Sequence, residues 1–155
     1  MAAGRRLIAV VCLLAAGLFV QSCASLRTVN NAQRAEVVRA AKDMLDTKYE
    51  FGKQDPGSGF DCSGLAQYAY KQAGIKIPRT TAAQYASSKH ISKDELKEAD
   101  LVFFSTNGPG ASHVGIYLGK GRFIHAPSEG KKVQSVEMNN PYWKANFFGA
   151  GTYFK

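Results

Sequence analysis

One cysteine and two histidines, Cys62, His113 and His125, are of the types that nucleophilic catalysis needs. A thiol is a strong nucleophile only after it loses its proton, and unpaired N–H groups at a helix N-terminus favour the thiolate. A histidine titrates near neutral pH and can pass that proton to a leaving amine. A group that hydrogen-bonds the other ring nitrogen holds the histidine in one tautomer. The three residues are candidates for nucleophile, base and orienting group.

The same residues have plainer interpretations. A single cysteine at a helix start is often a small buried residue, and histidines far apart in sequence are usually ordinary polar side chains, which is how we interpret His90. Zinc sites usually show paired ligands at short spacing, such as C-x-x-C or H-E-x-x-H, and the sequence has neither. We expect no metal and no cofactor. Spacing alone leaves catalysis and a structural role both open.

Cys62 is predicted to lie in the first turn of a helix. Apolar residues recur at helical spacing after Asp61, and Gly74 is a natural C-cap for this helix. Turn-forming residues fill the stretch from Tyr49 to Phe60, which predicts a loop leading into the helix. Further predicted helices are Ala32–Leu45, capped by Asn30 or Asn31, one starting at Thr80 or Thr81 and ending near Ser88, and a short helix or turn over Ser92–Ala99.

The two histidines are predicted to lie on strands that form a hairpin. His113–Leu118 alternates between apolar residues and a face that carries His113, Gly115 and Tyr117. If the turn at Gly119-Lys120-Gly121 has three residues, His125 lies opposite Gly115 and within reach of His113. A two-residue turn would place His125 on the other face. Further strands are predicted at Leu101–Phe104 and near Phe148–Phe154.

The N-terminus has the pattern of an export signal. Arg5 and Arg6 precede an apolar run from Leu7 to Val20 that is too short to span a bilayer securely. Val20-Gln21-Ser22-Cys23 then resembles the lipobox of bacterial lipoproteins, although Gln21 is unusually polar. We therefore predict a lipoprotein signal peptide over residues 1–22, a lipid anchor at Cys23 with a tether over 23–31, and one domain over 32–155. Simple secretion is the alternative.

Export leaves Cys62 without a disulfide partner and leaves a basic protein. Cys12 departs with the signal and Cys23 would carry acyl chains such as palmitate, so the remaining thiol needs an explanation. Loss of two arginines lowers the formal net charge from +8 to about +6. An exported basic protein meets the acidic cell wall more often than nucleic acid, so we expect no nucleic-acid partner; a solvated basic face is the alternative.

Five motifs, in order, resemble the NlpC-type cell-wall peptidases, closest to the small lipoprotein murein endopeptidases. The resemblance runs from about Ala32 to the C-terminus and is carried by Tyr49-x-x-Gly52, Asp61-Cys62-Ser63-Gly64-Leu65, Asp100-Leu101-Val102-Phe103-Phe104, His113-Val114-Gly115-Ile116-Tyr117-Leu118-Gly119 and Phe123-Ile124-His125-Ala126. It implies an α+β, papain-like cysteine peptidase fold, with N-terminal helices packed on a central antiparallel sheet. It also implies hydrolysis of peptide bonds in bacterial peptidoglycan, with the stem peptides as substrate.

The resemblance assigns roles to individual residues. Cys62 would attack the carbonyl, His113 would act as base and then acid, and His125 would orient His113. Tyr49 matches a tyrosine near the oxyanion site, where its hydroxyl would act with the Cys62 backbone N–H. Asp61 and Ser63 match positions that help to hold the stem peptide in relatives.

Three departures from the family pattern bear on specificity. Lys53 replaces a second glycine, Ala99 replaces a glycine before Asp-Leu, and Pro127 stands where a small polar residue is commoner. None removes a predicted catalytic group. Lys53 and Pro127 nevertheless lie near the expected path of the substrate.

Several alternatives remain open from sequence. The bond cut is either the stem D-glutamyl–diamino acid bond or the D-alanyl crosslink. A catalytically silent wall-binding or regulatory lipoprotein is a second function. An acyltransferase of related fold is disfavoured because circularly permuted relatives place the histidine before the cysteine. Ala24 after Cys23 resembles lipoproteins sorted to an outer membrane, so we expect the protein to be anchored there and to face the periplasm. We also expect a monomer.

Overall fold

The structure is a computed structural model that describes residues 28–155, and packing is considered within the unit Gln33–Lys155. The predicted signal peptide, Cys23 and the tether as far as residue 27 lie outside the described residues. Within residues 28–155, no helix has the length and apolar character needed to cross a membrane.

The first helix, α1, occupies residues 28–42. It includes positions predicted as caps and as the end of the tether, and it ends three residues earlier than predicted. After α1 the backbone bonds tighten to the i→i−3 pattern, with Met44 N–H donating to Ala41 O at 3.2 Å. Asp46 then adopts a positive φ of 64°, which a helix cannot accommodate. Leu45, predicted to be helical, is 43% exposed beside this turn.

Helix α2, Cys62–Gln72, begins where the sequence predicts. The Asp61 carboxylate caps it by accepting from Gly64 N–H at 2.7 Å. At the other end Gly74 has a φ of 75°, and the N–H of Ile75 donates to Tyr70 O at 2.9 Å. This is a Schellman ending, with Gly74 one position beyond the C-cap.

The remaining helices are short. They are α3, Thr81–Ser87, capped by Thr80 as predicted; a 3-10 turn, Lys93–Glu95, inside the predicted helix or turn; and α4, Pro141–Asn146, with Asn140 as its N-cap.

A six-stranded antiparallel sheet forms the centre of the domain, in the order β3-β8-β4-β5-β6-β7. A separate pair, β1-β2, lies in the glycine-rich stretch before α2. The strands are β1 Gln54–Asp55, β2 Gly59–Phe60, β3 Lys89–Ile91, β4 Leu101–Phe104, β5 His113–Gly119, β6 Arg122–His125, β7 Gln134–Glu137 and β8 Phe147–Thr152. The α+β prediction with a central antiparallel sheet is confirmed.

Some strands escaped prediction because they lie at the sheet edges. β3 and β7 each pair on one side only, and their exposed, polar residues do not alternate as a half-buried strand does. The predicted last strand was placed one residue late at its start and extended two residues too far. It lies inside the sheet, between β3 and β4.

The β5–β6 hairpin brings His125 to the same face as His113 by a route that the sequence did not specify. Gly119 pairs with Arg122, so only Lys120 and Gly121 form the loop, and both have positive φ as in a type I′ turn. A two-residue loop alone would have turned His125 away. The register shifts between Tyr117 and Gly119, and this bulge restores the shared face.

The sheet separates two apolar clusters. On one side, α1 and α2 pack against alternate strand residues such as Leu101, Phe103 and Ile116. On the other side, Val102 and Phe104 of the same strand β4 join the second cluster, against which α4 packs. Because β4 is buried on both faces, the sequence shows it as a continuous apolar run.

We predict that Gly64→Ala lowers the free energy of unfolding by about 1–3 kcal/mol, because overpacking forces backbone to move. A Cβ at Gly64 would lie 2.2 Å from the carbonyl oxygen of Lys53 and 3.1 Å from Gln54 Cα. Urea denaturation measures the change. Gly57→Ala is the matched control, since its Cβ would meet only Asp55 Oδ1 at 3.4 Å. Equal stability of the two variants would contradict this close approach.

Candidate active site

The predicted nucleophile is the first residue of α2. Cys62 is a free cysteine of intermediate exposure, directly after the helix cap Asp61. Its sulfur lies 3.6 Å from the hydroxyl oxygen of Thr81 at the start of α3. The backbone N–H groups of Val114 and Ser63 also act on the sulfur, and each lowers the pKa of the thiol. The thiol therefore lies where α2, α3 and strand β5 meet.

The environment of Cys62 favours the thiol over the thiolate at rest. Burial raises the pKa of the Cys62 thiol above its ordinary value, and hydrogen bonds from Thr81, Val114 and Ser63 lower it only in part. The position at a helix N-terminus, which suggested a ready thiolate, is outweighed by this loss of solvent. A nucleophilic thiolate would therefore need a base to take up the proton.

His113 and His125 form one hydrogen-bonded pair. Nε2 of His113 lies 2.8 Å from Nδ1 of His125, with the rings nearly perpendicular at 86°. Burial lowers the pKa of His113 to about 4. Burial, His113 and Lys131 together lower the pKa of His125 to about 3. Both rings are therefore neutral at physiological pH.

This pairing leaves one nitrogen of His113 available for the thiol's proton. Nε2 is committed to His125, so Nδ1 is the nitrogen left to accept a proton from Cys62. For Nδ1 to be the acceptor, the ring proton must lie on Nε2 and be donated to His125. The pair can thus hold His113 in the tautomer of a general base.

Trp143 of α4 covers both imidazoles. Its ring stacks on His113 at 5.5 Å between centroids and 29° between planes. It meets His125 edge to face at 4.9 Å and 87°, while Phe123 contacts His125 from its own strand at 5.1 Å. These aromatic rings contribute to the burial of the pair, which is the largest cause of the low pKa of each histidine.

A cavity of about 530 Å³ opens above the thiol. The structure brings together five predicted site residues as parts of its wall: Tyr49, Asp61, Cys62, Ser63 and His113. His125 lies behind His113, outside this wall. Burial raises the pKa of the Tyr49 phenol, as do Cys62 and Asp61, so its ring lies close to the thiol. Cys23, the predicted lipidation site, lies outside the described residues.

Asp61 is committed to structural hydrogen bonds. Its Oδ1 accepts from Gly64 N–H, from the Ser63 hydroxyl at 3.2 Å and from Arg79 Nη1 at 2.9 Å. Its Oδ2 accepts from Gly52 N–H at 2.9 Å and from Arg79 Nη2 at 2.6 Å. Arg79 Nη1 also donates to the Ser63 hydroxyl at 2.9 Å. The group that this cluster presents to the cavity is therefore the partly exposed guanidinium of Arg79.

Sequence reasoning missed several of these contributors. Arg79 follows Asp61 by 18 positions, and no local pattern links the two. Thr81 was considered only as a helix cap. Trp143 is the single tryptophan of the chain, and its place beside the histidines depends on α4 packing under the sheet. Among the described residues, no group of three or more His, Cys, Asp or Glu side chains is arranged to hold a metal ion.

We predict that stability falls as the pH drops from about 6.5 towards 4. The ordinary histidine pKa is 6.5, whereas His113 titrates at about 4 and His125 at about 3 in the folded chain. The unfolded chain therefore binds more protons in this window, and stability is lost by at most about 1.4 kcal/mol per pH unit for each histidine. Denaturant titrations across this range measure the slope.

The variant His125→Asn should flatten that slope. His90→Asn, on the exposed edge strand β3, is the matched control and keeps the wild-type slope. Identical slopes for wild type and His125→Asn would contradict the buried neutral pair.

Comparison with known proteins gives a consistent assignment. The NlpC/P60 family profile matches residues 46–152. The murein DD-endopeptidase MepH of Escherichia coli strain K12 is 40% identical over 134 residues, which is 79% of this chain and 49% of that protein. The gamma-DL-glutamyl hydrolase of Bacillus subtilis strain 168 is 43% identical over 115 residues, which is 73% of this chain and 28% of that protein.

A solved structure agrees with these sequence matches. The crystal structure of an NlpC/P60 family protein from Bacillus cereus superposes with a TM-score of 0.74 at 31% identity, covering 79% of this chain and 40% of that one. The chain spans about half or less of the length of these relatives. With the matched segment covering every described residue of the candidate site, the chain belongs to the NlpC/P60 family.

Proposed function

We propose that this chain is a cysteine endopeptidase that hydrolyses peptide bonds of bacterial peptidoglycan during cell-wall remodelling. The observation that carries the proposal is the shared cavity of Cys62 and His113, together with the 2.8 Å hydrogen bond that orients His113 through His125. A thiol, a neutral imidazole with a free nitrogen and a group fixing its tautomer are what acyl transfer by a cysteine requires.

The substrate follows from the relatives and from the site. One relative is named a murein DD-endopeptidase and another a bifunctional muramidase/DL-endopeptidase, so both DD- and DL-endopeptidases are named among the relatives. The bond cut by this chain is thus the D-glutamyl–diamino acid bond of the stem or the D-alanyl–diamino acid crosslink. The open, partly polar cavity suits an extended peptide.

The first step is attack by Cys62. As Sγ forms a bond to the scissile carbonyl carbon, the thiol proton passes to Nδ1 of His113, because both groups begin neutral. His125 accepts the hydrogen bond from Nε2 and stabilises the imidazolium that forms. Trp143 keeps water from the two rings, so the charge develops in a site of low dielectric constant where this hydrogen bond is strong.

The carbonyl oxygen becomes an oxyanion in this step. Two donors are available for it: the backbone N–H of Cys62 at the start of α2, and the hydroxyl of Tyr49 in the same cavity. The helix N-terminus thus has its main effect on the transition state, where negative charge develops on the carbonyl oxygen.

Collapse of the tetrahedral species breaks the C–N bond. His113 gives its proton to the leaving nitrogen, and the acyl group stays on Cys62 as a thioester. A water molecule then attacks the thioester while His113 takes its proton. Release of the carboxylic acid restores the thiol and the neutral histidine.

Asp61 and Ser63 hold the acyl side of the substrate through Arg79. The two side chains are occupied by each other, by backbone N–H groups and by the guanidinium. Their role is to fix Arg79 against the cavity wall, where it contacts polar groups of the stem peptide. Every group used comes from one chain, so a monomer would suffice for this reaction.

We predict that Cys62→Ala abolishes release of muropeptides from purified peptidoglycan, with a fall in rate of at least about 10³-fold. The full chain, wild type and variant, is incubated with intact peptidoglycan and with crosslinked muropeptides, and mass spectrometry identifies the fragments. Their masses name the bond.

The exposed variant Gly57→Ala serves as a control that keeps wild-type activity. Thermal melts confirm that Cys62→Ala folds. Absence of fragments with wild type would sink the hydrolase proposal in favour of a wall-binding lipoprotein.

We further propose that the chain is a lipoprotein of the cell envelope, acylated at Cys23. The basis is the sequence alone: a positive start, an apolar run and a lipobox-like segment, with Ala24 following Cys23. Two or more acyl chains give stable anchoring where one would not. The location is an outer membrane, facing the periplasm, where the substrate lies.

The anchor is tested with Cys23→Ala in the full chain. We expect wild type in the membrane fraction with the mass of an acylated N-terminus, and the variant in the soluble fraction. Membrane fractionation and intact-mass measurement give both readouts. An unmodified wild-type mass after signal removal would show simple secretion instead.

A further inference from the structure

A second cavity of about 470 Å³ adjoins the first on the far side of His113. The two share His113, Asn107, Pro127 and Ser128, so they form two lobes of one cleft. Cys62 lines only the first lobe, here called the acyl lobe. The second lobe contains His125 and Trp143 and is called the leaving-group lobe.

The order of proton transfers assigns these lobes. The acyl group stays bonded to Cys62, whereas the leaving nitrogen must lie against His113 to receive its proton. A substrate that crosses the cleft therefore has its departing half in the lobe that contains His113 without Cys62. This step rests on the proposed function of the chain.

The two lobes differ in charge. In the acyl lobe the cation, Arg79, is neutralised by a bidentate pair with Asp61. In the leaving-group lobe Lys131 is the one permanently charged residue, and no aspartate or glutamate lines the wall. Across residues 28–155, no carboxylate forms an ion pair with Lys131. This lobe therefore presents an uncompensated positive charge to whatever enters it.

The neutral part of the wall offers further hydrogen-bonding groups. Asn107, Gln134 and Asn140 contribute side-chain amides, and Gln134 lies opposite His125 in the pairing of β6 with β7. The lysine backbone is fixed as well, since Lys131 O accepts from Tyr49 N–H at 2.9 Å and its N–H donates to Ser128 O at 3.1 Å. An ammonium group carried by this fixed backbone, with amide groups in the same wall, matches a carboxylate.

We propose that the leaving-group lobe binds a carboxylate on the departing half of the substrate through Lys131. The enzyme would then prefer wall peptides whose diamino acid has a free carboxylate on its side chain, as diaminopimelate does, over those in which it is amidated or absent, as in lysine. Both candidate bonds release this diamino acid, so the inference applies to either.

The charge of Lys131 also acts on the buried histidine pair. With His113 donating to His125 Nδ1, the proton of His125 lies on Nε2, a buried atom that has no hydrogen-bond partner in the part of the chain described. The positive charge of Lys131 lowers the pKa of His125, so it disfavours positive charge on the pair. A carboxylate bound to Lys131 offsets this effect and favours the imidazolium form of His113 during reaction.

The test compares two substrates and two variants of the full chain. The substrates are a crosslinked muropeptide with free diaminopimelate carboxylates and the same muropeptide with those carboxylates amidated. The variants are Lys131→Gln and the matched control Lys132→Gln, which removes an adjacent exposed charge that does not line the lobe. The readout is kcat/KM for each pair, from product masses over time.

We expect wild type to prefer the free carboxylate by about 5- to 10-fold, which is the range of one partly exposed charged hydrogen bond. Lys131→Gln should lose this preference by slowing cleavage of the free substrate alone, while Lys132→Gln retains it. Equal rates of wild type on both substrates, or an equal loss on both in Lys131→Gln, would overturn the inference and leave the hydrolase intact. Cleavage of neither substrate by wild type would instead overturn the proposed function.

Discussion

The Asp61 carboxylate ties together the segments that position the thiol. It caps α2 through Gly64 N–H, holds the preceding loop through Gly52 N–H and pairs with both Nη atoms of Arg79 before α3. A carboxylate with this many donors is fully occupied, so losing one partner would leave buried polar groups unsatisfied. Cys62 follows Asp61 directly. The position of Cys62 in the cleft therefore depends on the hydrogen bonds of Asp61 more than on any contact of its own side chain.

The histidine pair depends on a different constraint, which is burial away from water. Trp143 and Phe123 enclose the two rings, and burial keeps both neutral with pKa values of about 4 and 3. A neutral His113 can act as a base at once, but the same burial raises the pKa of the Cys62 thiol and removes the standing thiolate that helix position alone would suggest. In the proposed reaction, charge on the imidazole and on the oxyanion would develop together in the transition state.

The two lobes of the cleft also differ in the charge that they present to a ligand. In the acyl lobe, the buried carboxylate of Asp61 balances the charge of Arg79. In the leaving-group lobe, no carboxylate of the described wall balances the charge of Lys131. In the proposed function, this asymmetry would orient a peptide that crosses the site, because opposite ends of the substrate would meet different potentials. Such orientation would matter for the proposed wall peptide, in which several amide bonds have similar chemistry.

The sequence by itself determined the local features of this protein. The helix start at Cys62, the Gly74 ending and the strands Leu101–Phe104 and His113–Leu118 follow from short-range patterns, and motif order indicated the family. Tertiary structure decided the rest. Contacts between distant segments produce the bulge before Gly119, which returns His125 to the face of His113, and the pairing of Arg79 with Asp61. Such contacts also place Trp143 over the histidines and form the edge strands β3 and β7. Local periodicity does not indicate which distant segments will meet. The pKa values of the thiol and the histidines belong to this second group, because burial exists only once the chain has folded.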